Sequence, residues 1–208
     1  MGSWALVTPV KTLDRAKSRL AAVAGERRAD LALAMAADTV EAALRSPAVA
    51  ALVVVTDDPE ATAELKPLGA VIVRDEPDSG LNPALLHGAR TARAYASSVG
   101  ALSADLPALR PDLLAAVLEH AQQHPSAFLA DLAGTGTTLY TAAVDAAFSP
   151  SFGEGSAQRH RAAGAAELDG EGLDPLRRDV DTRADLVAAV RLGTGPRTAA
   201  LARDLLET

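Results

Sequence analysis

Cysteine is absent from all 208 residues, which excludes disulfides, thiol nucleophiles and thiolate metal centres and makes a cytoplasmic location the expectation. Aromatic residues are scarce at 3% against 49% apolar residues overall. The core should therefore be aliphatic, with small residues letting helices sit close to a sheet. Long apolar runs are missing too: Asp30, Asp38 and Glu41 break the longest candidate, so no membrane-spanning helix is expected. The amino terminus has no basic segment leading into an apolar one, and no signal peptide is expected. Basic charge is in deficit, with 20 Lys and Arg against 27 Asp and Glu and a net charge of -7. That balance, without a continuous basic run, disfavours a nucleic-acid partner. An anionic phosphate ligand would then need local basic side chains or metal ions. No Ser/Gly-rich linker or charge block divides the chain, so one domain over residues 1–208 is expected.

What is present alternates. Trp4 to Val10 reads as a first strand buried on both sides. Between Glu26 and Leu44, the spacing of Leu33, Ala37, Val40 and Leu44 lays one apolar stripe along a helix. Leu52–Thr56 is a second strand, followed by a helix from Pro59 to about Leu68 that Asp57 or Asp58 should cap. Ala70–Val73 is a third strand. Asn82 and Pro83 then occupy the N-cap and N1 positions of the next helix. An apolar run from Val99 to Ala104 leads to Asp105, and Pro107 ends any ladder there because it has no amide donor. Pro111 opens a further helix. This β-α alternation indicates an α/β fold with a mixed, mostly parallel sheet covered on both faces. After His124 the rhythm changes: strands at Ser126–Ala130 and Leu139–Val144 flank a glycine-rich loop, which suggests an antiparallel pair.

Candidate chemistry follows from that frame. Asp105 is expected at the carboxyl rim of a central strand, where open α/β sheets bind ligands; the ordinary alternative is a turn cap. Lys11, Lys17 and Arg19 cluster just past strand one and could clamp a triphosphate or simply be a solvated helix start. The loop Gly134–Thr138 offers small residues, unencumbered amides and hydroxyls to an anion, although as a Gly/Thr hairpin turn it needs no ligand. It is neither a Walker loop nor a dinucleotide fingerprint. Gly153 and Ser156, at the start of a helix-compatible run, make a second anion corner. In an extended Leu176–Thr182, Asp179 and Asp181 share one face about 7 Å apart, with Val180 buried on the other. Two such carboxylates suit a hard divalent cation. Thr182 to Asp185 resembles a capping box, and Gly193 should stop the helix it starts. Asn82 could read a base or cap its helix. The inventory of three carboxylates, a basic corner and two anion corners is that of phosphoryl or nucleotidyl transfer.

Taken in order, Pro9-Val-Lys11 with Ala16 to Leu20, Leu81-Asn82, Asp105 to Leu109, Ala130-Asp131 with Gly134 to Thr137, Phe152-Gly153 with Ser156 and Arg159-His160, and Asp179 to Thr182 resemble a known family. These are the guanylyltransferases that make the guanosine-diphosphate-linked precursor of the deazaflavin coenzyme from GTP and phosphoenolpyruvate or 2-phospho-L-lactate. The resemblance covers Leu6 to about Thr198. It implies a Rossmann-like nucleotidyltransferase fold of the glycosyltransferase-A kind. It further implies that Thr137, or its neighbour Thr138, acts with Gly153 and Ser156 to hold the phosphoenolpyruvate. Asp105, Asp179 and Asp181 would hold two magnesium ions, and Lys11, Lys17, Arg19 and Asn82 would bind the nucleotide, with Asp105 and Lys17 catalytic. His160 is expected to be structural or a phosphate contact. Two other readings are a nucleotidyltransferase acting on a sugar phosphate or pterin cofactor, and a non-catalytic module that binds phospho-metabolites.

Overall fold

The computed structural model describes residues 4–10, 24–76 and 78–206. One seven-stranded sheet organises them, in the order β3-β2-β1-β4-β6-β5-β7. The strands are β1 (Trp4–Pro9), β2 (Val49–Val55), β3 (Val71–Val73), β4 (Ser98–Leu102), β5 (Ser126–Ala130), β6 (Thr137–Ala142) and β7 (Ala166–Leu168). Among them only β6 runs against the rest, pairing antiparallel with β4 and β5. The helices are α1 (Arg28–Leu44), α2 (Pro59–Leu65), α3 (Leu81–Ala92), α4 (Pro111–Ala121), α5 (Ser156–Ala162), α6 (Asp174–Arg177), α7 (Arg183–Leu192) and α8 (Pro196–Leu206). None of the described helices is long and apolar enough to cross a membrane.

Because successive strand residues face opposite sides, β1 feeds two cores. Trp4 and Leu6 join the side covered by α1, α2 and α4, while Ala5 and Val7 join the side covered by α3 and α5. The scarcity of large residues shows in the packing. A Cβ on Gly88 of α3 would stand 2.5 Å from Val7 Cγ1 and 2.6 Å from Val55 Cγ2, so only glycine lets α3 lie this close to the sheet. Helix α1 is buried more widely than one stripe predicts. Ala37 and Val40 face the sheet, whereas Leu31 and Met35 form a third cluster with Val180, Leu186, Ala189 and Ala202.

Several sequence expectations are met closely. Asp58 caps α2 by accepting from the Glu60 and Ala61 amides, and Gly69 ends the following turn at φ 103°. Thr182 and Asp185 form the capping box of α7, which Gly193 terminates. Others need correction. Helix α3 begins at Leu81 with Gly80 at its N-cap, so Asn82 does not cap it. Strand β6 spans Thr137–Ala142 instead of Leu139–Val144, since both its partners give out at that end: Ala142 faces Val99 of β4 and Ser126 of β5. Strand β7, parallel to β5, carries no clear signal in its three residues. Leu176 and Arg177 belong to the single-turn helix α6, so the extended segment expected from Leu176 starts only after it.

Candidate functional site

The strand order reverses direction between β1 and β4, and the carboxyl ends of two such strands are where open α/β sheets bind ligands. The segment after β1 that holds Lys11, Lys17 and Arg19 lies outside the described residues. After β4, the chain passes through Ser103, whose amide donates to the Thr138 carbonyl, to Asp105 three residues past the strand. Three backbone anchors from distant parts of the chain fix this turn. Thr39 Oγ1, which itself donates to the Met35 carbonyl, accepts from the Leu106 amide at 3.1 Å. The Val180 amide donates to the Asp105 carbonyl at 3.1 Å, and the Gly195 amide to the Pro107 carbonyl at 2.9 Å.

The bond from Val180 to Asp105 brings together the two acidic stretches that 73 residues of sequence keep apart. Val180 is fully buried between α1 and α7, and its two neighbours, Asp179 and Asp181, are half-buried, as is Asp105. Arg177 anchors the stretch from the other side, donating to the carbonyls of Ala130 and Asp131 at the end of β5. Among the described residues no group of three His, Asp or Glu side chains is arranged to hold a metal ion alone. Magnesium usually binds through one or two carboxylates plus phosphate oxygens and water. Asp105, Asp179 and Asp181, each half-buried, carry the hard oxygen donors that such an ion takes.

Since β6 is antiparallel, its first residue lies at the same rim as the last residues of β4. That residue is Thr137, and it joins the two anion corners into one. Ser156 Oγ lies 3.0 Å from Thr137 Oγ1, and the Ala157 amide donates to the Thr135 carbonyl. Alternation along β6 separates Thr137 from Thr138, whose hydroxyl turns instead toward the Leu129 carbonyl. The glycine-rich loop itself is less open than its composition suggests. Asp131 accepts from the Thr135 and Gly136 amides, and a Cβ on Gly136 would collide with that carboxylate. Those amides are therefore spent on the turn.

The loop carrying Gly153 is gripped by three side chains. Asn82 accepts from the Phe152 amide at 2.8 Å and donates to the Phe152 carbonyl at 3.1 Å, so its amide braces this loop. Arg159 donates to the carbonyls of Ser151, Phe152 and Glu154. His160 accepts from the Ser151 amide through Nε2 at 2.8 Å. Gly153, at φ 114°, sits in the region that favours glycine. Nothing in the sequence pairs Asn82 with Phe152, or Thr39 with Leu106, because these contacts span about 70 residues. The only local hint is the threonine inside α1, a residue type that bonds back to the preceding turn.

His160 is buried, and burial, aided by the nearby Arg159 charge, pushes its pKa from 6.5 to about 4. The ring is thus neutral in the folded state, while the unfolded chain takes up a proton below about pH 6.5. Its contribution is complete above that pH and is lost as pH falls toward about 4. Between these limits the folding equilibrium constant should drop by about tenfold per pH unit on account of this one group. Denaturant unfolding of the wild type and His160→Asn across this window checks it. The wild type should be the more acid-sensitive, and equal slopes would refute the assignment.

Residues 33–177 match the MobA-like NTP transferase domain family. A phosphoenolpyruvate guanylyltransferase of Thermomonospora curvata is 62% identical over 202 residues, covering 96% of this chain and 89% of that one. Another, of Streptomyces coelicolor, is 57% identical over 206 residues, covering 98% and 97%. A structure named for a nucleotide-diphospho-sugar transferase of Desulfovibrio desulfuricans superposes with a TM-score of 0.73 over 99% of both chains at 21% identity, a likeness of fold.

Proposed function

The chain belongs to the phosphoenolpyruvate guanylyltransferases, built on the MobA-like NTP transferase domain, and on that premise we propose that it joins GTP to phosphoenolpyruvate with release of pyrophosphate. The product is enolpyruvoyl-2-diphospho-5'-guanosine. The observation that best supports this reading is the Val180–Asp105 backbone hydrogen bond, which ties the Asp105 turn to the Asp179–Asp181 stretch, while the Ser103–Thr138 bond keeps that turn next to the Thr137–Ser156 corner.

In the reaction, an oxygen of the acceptor phosphate attacks the α-phosphorus of GTP, and the bond to the bridging oxygen breaks to free pyrophosphate. That phosphate is ionised near neutral pH, so no strong general base is required. His160, buried and neutral, is accordingly given no proton-transfer role. Thr137, Ser156 and the Gly153 backbone receive the acceptor's phosphate and carboxylate. Asp105, Asp179 and Asp181 would hold two magnesium ions. When bound, magnesium neutralises phosphate charge and stabilises the in-line displacement. Lys11, Lys17 and Arg19 serve the GTP phosphates, and Lys17 and Asp105 are the two catalytic groups. Asn82 enters as the brace of the acceptor loop.

The test is incubation with GTP, magnesium and, in turn, phosphoenolpyruvate, 2-phospho-L-lactate and 3-phosphoglycerate, with mass detection of the coupled product. Phosphoenolpyruvate should give the guanylylated product and stoichiometric pyrophosphate. Formation of neither from any of the three acids would defeat the proposal.

A further inference from the structure

The chain has one Trp, two Tyr and three Phe, and it gathers three of these rings around a single imidazole. Tyr140 stacks on His160 at 4.7 Å between centroids, Phe128 lies tilted at 5.6 Å and Phe152 meets it edge-on at 5.7 Å. The ring is 1% exposed. So much of a small aromatic allotment spent on one histidine fixes the plane of its ring, and the plane fixes where each nitrogen points.

The hydrogen bonds then determine the tautomer. A backbone amide can only donate, so the bond from Ser151 N–H requires Nε2 to be unprotonated. A neutral imidazole carries its one proton on the other nitrogen, and Nδ1 lies 3.0 Å from Thr137 Oγ1. Nδ1–H therefore donates to the threonine. Ser156 Oγ, also 3.0 Å away, is placed to donate to the same oxygen. A hydroxyl oxygen accepts twice and donates once. With Nδ1–H on one lone pair the threonine cannot donate back to His160, and with Ser156 O–H on the other its proton is left for a ligand.

We propose that His160 is a positioning residue that, through an Nδ1–H tautomer set by the Ser151 amide, turns the Thr137 hydroxyl into a donor toward the anionic acceptor. The inference deepens the guanylyltransferase reading and rests on it for the identity of that acceptor. Its physical content is a three-link relay of orientation: a loop amide sets the ring, the ring fills the threonine lone pair, and the threonine proton is left for a phosphate or carboxylate oxygen. Because Ser151 lies two residues before Gly153, the loop that presents the Gly153 backbone also sets the direction of the Thr137 donor.

Two measurements test it. Long-range nitrogen–proton correlation spectra of the wild-type imidazole should show the proton on Nδ1 near neutral pH; a proton on Nε2 overturns the proposal and needs no variant. In kinetics, His160→Gln places its amide near Nε2 and leaves Thr137 without its donor, whereas the amide nitrogen of His160→Asn falls near Nδ1. His160→Gln should raise the KM for phosphoenolpyruvate by about tenfold or more with the KM for GTP within about twofold, and His160→Asn should recover most of the loss. In a Thr137→Val background the His160→Gln effect should vanish. Equal rises in both KM values, or no rise in a folded His160→Gln protein, would overturn it. Should the wild type couple none of the acids, the guanylyltransferase reading fails on its own, and the tautomer spectrum still decides the wiring of Thr137.

Discussion

Asp105→Asn lowers the rate of guanylyl transfer by at least about a thousandfold, equivalent to about 4 kcal/mol of transition-state stabilisation, while leaving the melting temperature nearly unchanged. The two halves of that expectation have separate causes. The anchor between Asp105 and Val180 uses the backbone carbonyl of Asp105, and the neighbouring anchors use the Leu106 amide and the Pro107 carbonyl. Removing the side-chain charge leaves all of these bonds in place, so the turn keeps its shape. What disappears is one negative charge at the rim shared with Thr137. Pyrophosphate release at saturating GTP, together with a thermal melt, checks both halves. Turnover within about tenfold of wild type would remove Asp105 from the reacting centre.

Asp38→Ala acts through the opposite route, on stability. Asp38 lies in α1 with its side chain fully buried, and its carboxylate accepts from the Arg197 and Thr198 amides at 3.3 and 2.7 Å, at the start of α8. It is an N-cap supplied from another helix. The Arg197 guanidinium stands 3.6 Å away and also binds Glu41 and Glu64. A Cβ on Gly195 would collide with this carboxylate, so glycine is needed for the two segments to meet. Truncation leaves charge-assisted donors without their acceptor in a buried site, and the cost should be about 3 kcal/mol. Denaturant unfolding measures it, and a loss below about 1 kcal/mol would make Asp38 no more than an ordinary surface cap. Because Gly195 also holds the Pro107 carbonyl, loosening α8 should reach the Asp105 turn, so activity is expected to fall before the protein unfolds.

These two residues mark how differently parts of the molecule can be read. The place of Asp105 just past the end of β4 is legible because its signal is local: an apolar run, a carboxylate and a proline between Val99 and Pro107. Thr182, Asp185 and Gly193 were legible for the same reason, since a capping box and a helix stop are written within one or two turns. Asp38 was not. Within α1 it reads only as a charge that interrupts an apolar stretch, and its partners lie about 160 residues away. Asn82 was legible as a polar residue near a helix start, but its hydrogen bonds go to Phe152, 70 residues further along the chain. The glycine-rich loop was found in the right place between two antiparallel strands, yet its amides serve Asp131.

The sequence by itself determined the alternation of strands and helices, the placement of most caps, and the residue types that nucleotidyl transfer calls for, because periodicity, proline and capping chemistry act over a few neighbours. Only the tertiary structure decided that Asp105 meets the Asp179–Asp181 stretch, that Thr137 and not Thr138 faces Ser156, and that a buried histidine lies against the threonine. Each of those outcomes depends on strand order and on which face a side chain takes. A pairing register and the direction of β6 settle such matters, and both are chosen by the packing of the whole chain.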